Sequence, residues 1–168
     1  MSPHRILALL LASIACSADV ATKDTAAKSA DSAFAAVQER GEGVMGVDQY
    51  ASRHTFEDRP DGGRIILDWP AAADTAEIRK IRGHMREVAA DFTAGNFSKP
   101  FAVHAQVVPG TGTMAAMRAA IRYEAADRAQ GAEVRMRTAD PGAIKAIHDF
   151  LAFQRSDHRA TGHEAHKM

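Results

Sequence analysis

The stretch TFEDRPDGGRIILDW, residues 55–69, decides the fold. Two runs with strand character flank a Pro-Asp-Gly-Gly turn, so the segment reads as a β-hairpin. It leads into ADTAEIRKIRGHMREVAADF, residues 73–92. Asp74 is a good N-cap there, and Glu77 completes a capping-box pattern. Ile78, Ile81, Met85, Val88 and Phe92 follow at steps of three and four, the period of an amphipathic helix.

The same order recurs in IRYEAADRAQGAEVRMRTADPGAIKAIHDFLAFQ, residues 121–154. Two strand-like runs meet at DRAQGA. Asp140 is the N-cap of the next helix and Pro141 its first residue. Aligned on the caps, Ile78 matches Ile144, Ile81 matches Ile147, and Met85 matches Leu151. Aligned on the turns, Ile65 matches Val134 and Leu67 matches Met136. The chain is therefore predicted to be α+β. Two strand–strand–helix repeats form an antiparallel sheet, with the helices mainly on one face. Between the repeats, residues 101–108 read as extended, and a short helix follows Thr113. Before them, residues 33–40 read as a helix that ends at Gly41.

Outside the repeats the chain changes character. In residues 1–16, Arg5 precedes the apolar residues 6–11, and Ser13-Ile14-Ala15 supplies small residues at Ser13 and Ala15. This is the pattern of an export signal, and its apolar run is too short to span a bilayer. Cys16 follows directly. The arrangement resembles the lipobox of bacterial lipoproteins, with Ser13 where Leu is usual. The resemblance implies a lipid on Cys16 and a periplasmic or membrane-anchored protein. Ordinary cleavage with free secretion is the alternative. Cys16 is the only cysteine, which excludes an internal disulfide. Residues 17–32 are small and polar and read as a flexible tether. They leave one α+β domain, residues 33–158, and a mobile histidine-containing tail, residues 159–168.

The segments GVMGVDQYASRHTFEDRPDGG (43–63), IRGHMREVAADFTAGNFSKPFAVHAQVVPG (81–110) and AIHDFLAFQRSDH (146–158) carry a further resemblance. They are similar to a set of exported or uncharacterised bacterial proteins. Those proteins share Gly-Met-Gly-Phe-Asp-Gln and Ile-His-x-Phe-Leu-x-Phe-Gln signatures, and Val47 here replaces the Phe. The likeness spans residues 44–158 and implies a fold without an established activity.

With 21 basic and 21 acidic residues, the formal net charge is zero. No basic patch stands out along the sequence, so nucleic acid is not an expected partner. The membrane is reached only through a lipid on Cys16. A protein partner is not identified by the sequence, and a homodimer stays open.

The histidines carry the candidate chemistry. Tyr50, Ser52, His54 and Phe56 share one strand face. His84 and His148 flank the apolar stripes of their helices, so His54, His84 and His148 are expected to meet inside, with His104 a further member. Imidazoles on rigid elements suit copper or zinc, while separate partly buried histidines are the plainer expectation. His148 and His158 are ten residues apart. On one helix that is about 80° and about 15 Å, too far for one shared ion. His158 is therefore grouped with the tail residues His163, His166 and Met168, as ligands of a weaker copper, zinc or nickel site.

Other pairings are less specific. Asp157-His158 and Ser52 with His54 lack triad geometry as sequence neighbours. Glu57 and Asp58 read as solvated, VVPGTGTM as a turn and helix cap, and Met114 and Met117 as core. Three classes of function are open to such a chain. The first is an exported binding module holding a transition metal through histidine. The second is an envelope interaction protein without metal. The third is a small hydrolase with a histidine base. An interior histidine cluster would favour the first, and a broad apolar patch the second. A pocket with a matched histidine and carboxylate would favour the third.

Overall fold

Each hairpin pairs seven residues with seven. In the first, β1 (Arg53–Arg59) runs antiparallel to β2 (Gly62–Asp68) across Pro60 and Asp61. In the second, β3 (Arg122–Arg128) runs antiparallel to β4 (Gly131–Arg137) across Ala129 and Gln130. The computed structural model describes residues 17–71 and 74–160. In it β2 and β4 pair antiparallel, giving one four-stranded sheet in the order β1-β2-β4-β3. The helices are α1 (Ser17–Met45), α2 (Thr75–Ala94), α3 (Ser98–His104), α4 (Thr111–Ala116) and α5 (Pro141–Asp157). The chain is thus α+β, as its periodicity predicts. One compact unit ends at Ala33, and the sheet with its covering helices belongs to a second unit that begins at Phe34.

Alternation puts Phe56, Ile65, Leu67, Val134 and Met136 on one sheet face, where all are buried. The stripe of α2 (Ile78, Ile81, Met85, Val88, Phe92) and that of α5 (Ala143, Ile147, Phe150, Leu151) cover them. Each such aliphatic or aromatic side chain contributes roughly 1.5–3 kcal/mol by leaving water. Both helices start as the sequence indicates. Asp74 Oδ1 accepts from Glu77 N–H at 3.2 Å, and Asp140 Oδ1 accepts from Ala143 N–H at 2.9 Å. Gly95 ends α2 with φ 77°, a conformation that suits glycine.

The hairpins match under a shift of 69 residues, and so do the bonds between them. Thr138 N–H donates to Asp61 O at 2.9 Å, and Trp69 N–H donates to Gln130 O at 2.7 Å. The same shift exchanges these two bonds. The Ile65–Val134 pair lies at the centre of the arrangement.

Three expectations are corrected. Residues 17–32 belong to α1 and do not form an irregular tether; the stretch is rich in alanine and lacks Gly and Pro. That helix also continues through Gly41 and Gly43 to Met45. Residues 101–108 are not extended, since α3 occupies Ser98–His104. Asn96 Oδ1 accepts from Ser98 N–H at 3.0 Å, and Pro100 sits in the first turn, where its missing N–H costs no helical bond.

Candidate functional site: a cavity lined by histidines

Four imidazoles line one cavity of ≈ 70 Å³: His54, His84, His104 and His158. Each is placed by a different element. His54 is the second residue of the outer strand β1 and points to the helix side, opposite Leu67. His84 lies on α2, one turn from Val88. His104 ends α3, and His158 caps the C-terminus of α5, its N–H donating to Gln154 O at 3.0 Å. Arg40 Nε–H donates to Val103 O at 2.6 Å and fixes the end of α3. The remaining wall is mostly apolar: Phe56, Leu67, Met85, Val103, Phe150 and their neighbours.

The rings of His54 and His158 stack at 5.0 Å with 13° between their planes. His104 meets His158 edge-on at 5.0 Å and 85°. Both His104 nitrogens are occupied: Nδ1 hydrogen-bonds to the Asp157 carboxylate, and Nε2 lies 2.9 Å from Gln154 Oε1. In contrast, His54 Nε2 and His158 Nδ1 are buried with no hydrogen-bond partner. Such groups are uncommon in folded proteins and call for a reason.

Burial depresses three of these histidines. His54 is pushed from 6.5 to about 4, chiefly by desolvation and then by His84. His84 also falls to about 4, by desolvation and by the Lys99 ammonium, against the opposing pull of Glu87 and Asp91. His158 falls to about 3, by desolvation and then by His54 and His104. At neutral pH all three are uncharged, and no proton competes for their lone pairs.

His148 is the main correction to the expected cluster. It lies away from the cavity. Its Nε2–H donates to Arg59 O at 3.0 Å and Gly62 O at 2.9 Å, joining α5 to the turn between β1 and β2. Arg82 does the same from α2: Nη2–H donates to Arg128 O at 2.6 Å and Nε–H to Gly131 O at 3.2 Å. Arg59 and Gly62 correspond to Arg128 and Gly131 under the shift of 69. His148 is therefore a structural donor.

His158 is the second correction. It stands apart from the tail reading, because α5 extends to Asp157 and carries it into the interior. His148 and His158 do point to different places, as their spacing requires, but His158 is the inward one. His163, His166 and Met168, like Cys16, lie outside the described residues. Met114 is fully buried core, and Glu57 is paired with Arg59 and Arg64.

The correspondence of the two halves locates the site independently. His54 holds the strand position that Tyr123 holds in the second hairpin. Counted from the helix caps, His158 holds the position of Phe92. Phe92 and Tyr123 pack edge-to-face at 5.8 Å. One half thus fills this place with two aromatic rings, and the other with two neutral imidazoles beside a cavity. The donors do not yet converge: among the described residues no three His, Cys, Asp or Glu groups are set to hold a metal ion. Neither does any helix among them have the length and apolarity to cross a membrane. Scans of protein-family models, of curated proteins and of solved structures return no match for the chain.

Proposed function

We propose that this protein is a small exported binding module that takes up a transition-metal ion, copper(I) foremost, in the histidine-lined cavity. The reading rests on one observation: His54 Nε2 and His158 Nδ1 are buried, unpartnered and uncharged on the same cavity. Size limits the ligand. A cavity of ≈ 70 Å³ holds a few waters or one small ion, far less than a cofactor. Charge narrows it further. Among the described residues the lining has no carboxylate, and Lys99 is its one charged group, so a dication would enter without charge compensation. Imidazole together with the thioethers of Met45 and Met85 suits a soft monovalent ion better than zinc. Binding would require the stacked His54 and His158 rings to turn so that their free nitrogens face one point. The signal pattern of residues 1–16 supports export, and the lipobox resemblance supports Cys16 as the lipid site.

The stacking favours one second reading, a small uncharged molecule that gives and takes hydrogen bonds at the two free nitrogens without ring rotation. A hydrolase gains less support. His104 and Asp157 are a matched pair, but Gln154 occupies the other ring nitrogen, and among the described residues no hydroxyl or thiol lines the cavity.

The test is competition for copper(I) against a chromophoric chelator, under reducing conditions, with the full chain. His163 and His166 are replaced by alanine to remove any tail component. One ion per chain is expected, lost in His54→Phe and His158→Phe and retained in His148→Ala. A parent protein that cannot compete, or a His158→Phe protein that competes equally, overturns the metal reading. Saturable nuclear magnetic resonance shifts around the cavity with a small alcohol, and none with copper(I), would establish the second reading.

A further inference from the structure

The sheet face opposite the helices carries a second feature. Alternation places Arg53, Arg59, Arg64, Arg128, Arg135 and Arg137 there, with Arg122 at the margin. The acidic residues on this face are Glu57, Asp68, Glu124 and Glu133. With Asp61 of the β1–β2 turn, which borders this face, seven arginines stand against five carboxylates and leave an excess of two positive charges. This patch escapes a linear reading because its members are spread over alternate positions of four strands.

Four of the seven arginines gather at one end. Arg59, Arg64, Arg135 and Arg137 surround a hollow of ≈ 300 Å³, with Asp61 at its rim. These four share three carboxylates: Glu57 with Arg59 and Arg64, Glu133 with Arg64 and Arg135, and Glu124 with Arg137. The carboxylates therefore fix the guanidinium groups and leave most of their N–H donors unused. Arg64 and Arg135 are direct cross-strand partners. Like charges in that position destabilise a sheet, and Glu133, which pairs with both, offsets the repulsion. In the next row Gly62 separates Arg59 from Arg137 and leaves the space between them open. A side chain cannot close this gap, because a Cβ at Gly62 would sit 2.2 Å from Met136 O.

We infer that this hollow is a binding site for a small polyanion bearing clustered phosphate or carboxylate oxygens. Guanidinium forks match such oxygens in pairs. The volume is that of a small-molecule site, and Asp61 offers one acceptor for a hydroxyl of the same ligand. The site lies on the opposite sheet face from the histidine cavity and does not depend on it.

The experiment titrates the full chain with pyrophosphate in one arm and citrate in the other, at about 0.15 M KCl. Calorimetry gives the stoichiometry, and arginine Nε–Hε resonances give the place. One ligand per chain is expected, shifting the resonances of Arg59, Arg64, Arg135 and Arg137 but not Arg53. Arg59→Gln with Arg137→Gln should weaken binding at least about tenfold. Glu57 and Glu124 each keep another arginine in that variant, and Arg53→Gln should bind as the parent does. Saturation by pyrophosphate alone identifies a phosphate ester, and by citrate alone a polycarboxylate. Saturation by neither, or equal weakening by Arg53→Gln, overturns the site. The resonance map of the parent decides the matter if the double variant does not fold.

Discussion

Arg82 of α2 and His148 of α5 perform one task on opposite halves of the sheet: each donates to two carbonyls that flank the turn of the other half's hairpin. Their partners correspond residue for residue. The equivalence makes His148 interchangeable with arginine, so His148→Arg should keep the parent's stability. His148→Ala leaves two turn carbonyls without their donor and should cost about 1–3 kcal/mol in denaturant unfolding. If His148→Arg destabilises as much as His148→Ala, the equivalence is wrong.

Acid should destabilise the protein ahead of any carboxylate effect. His54, His84 and His158 are depressed in the folded state, so the unfolded chain binds more protons below pH 6.5. Their contribution to stability is complete above that pH and is lost as pH falls toward about 4 and 3. The slope is roughly 1.4 kcal/mol per pH unit for each proton taken up. His54→Tyr with His158→Phe copies the other half's aromatic pair and should flatten this region. An unchanged pH profile in the double variant would show that the two histidines are not buried uncharged.

Gly62 should tolerate no side chain. Its φ is 134°, and an added Cβ would meet the Met136 carbonyl carbon at 3.0 Å as well as its oxygen. Gly62→Ala must therefore push β2 from β4 where they pair, with a loss of about 3 kcal/mol or failure to fold. Gly43→Ala, with nothing within 4 Å of the added carbon, is the matched control and should be neutral or stabilising. Equal melting temperatures for the two variants would contradict this packing.

Glu133 is 2% exposed although it lies on the face away from the helices. Arg64, Arg128 and Arg135 cover it and pair with it. Glu133→Ala removes the shared counter-charge and should destabilise by about 3 kcal/mol in urea unfolding. Glu124→Ala, whose carboxylate is more exposed, should cost below about 1 kcal/mol.

The hairpins, both N-caps and the helix stripes were legible because each rests on local chemistry: turn residues, a capping aspartate, a repeat of three and four. The helical α3 was not, because its N-cap position is Phe97, with no side-chain cap, and the turn at Asn96 is a single hydrogen bond amid residues with mixed preference. The cavity was half legible. Alternation placed His54 inward, and helix period placed His84 at the rim. His148 and His158 exchanged roles because period alone cannot tell a residue facing the cavity from one facing a turn. The signal that separates them was present in the caps: counted from Asp74 and Asp140, His148 matches Arg82 and His158 matches Phe92.

The pairing of β2 with β4 joins Gly62 to Arg137 and Asp68 to Gly131, residues 75 and 63 apart in the chain. A nascent chain that has made only its first hairpin and α2 therefore presents the unsatisfied amides of β2, with Ile65, Ile66 and Leu67 among them, until β4 follows about forty residues after the end of α2. Such a row is a template for another copy of itself. The long wait between the two halves makes synthesis, rather than the finished fold, the stage at which this protein is most exposed to aggregation. It also gives the arginines on β1 and β2 a use before any ligand is met: like charges on neighbouring copies oppose their pairing.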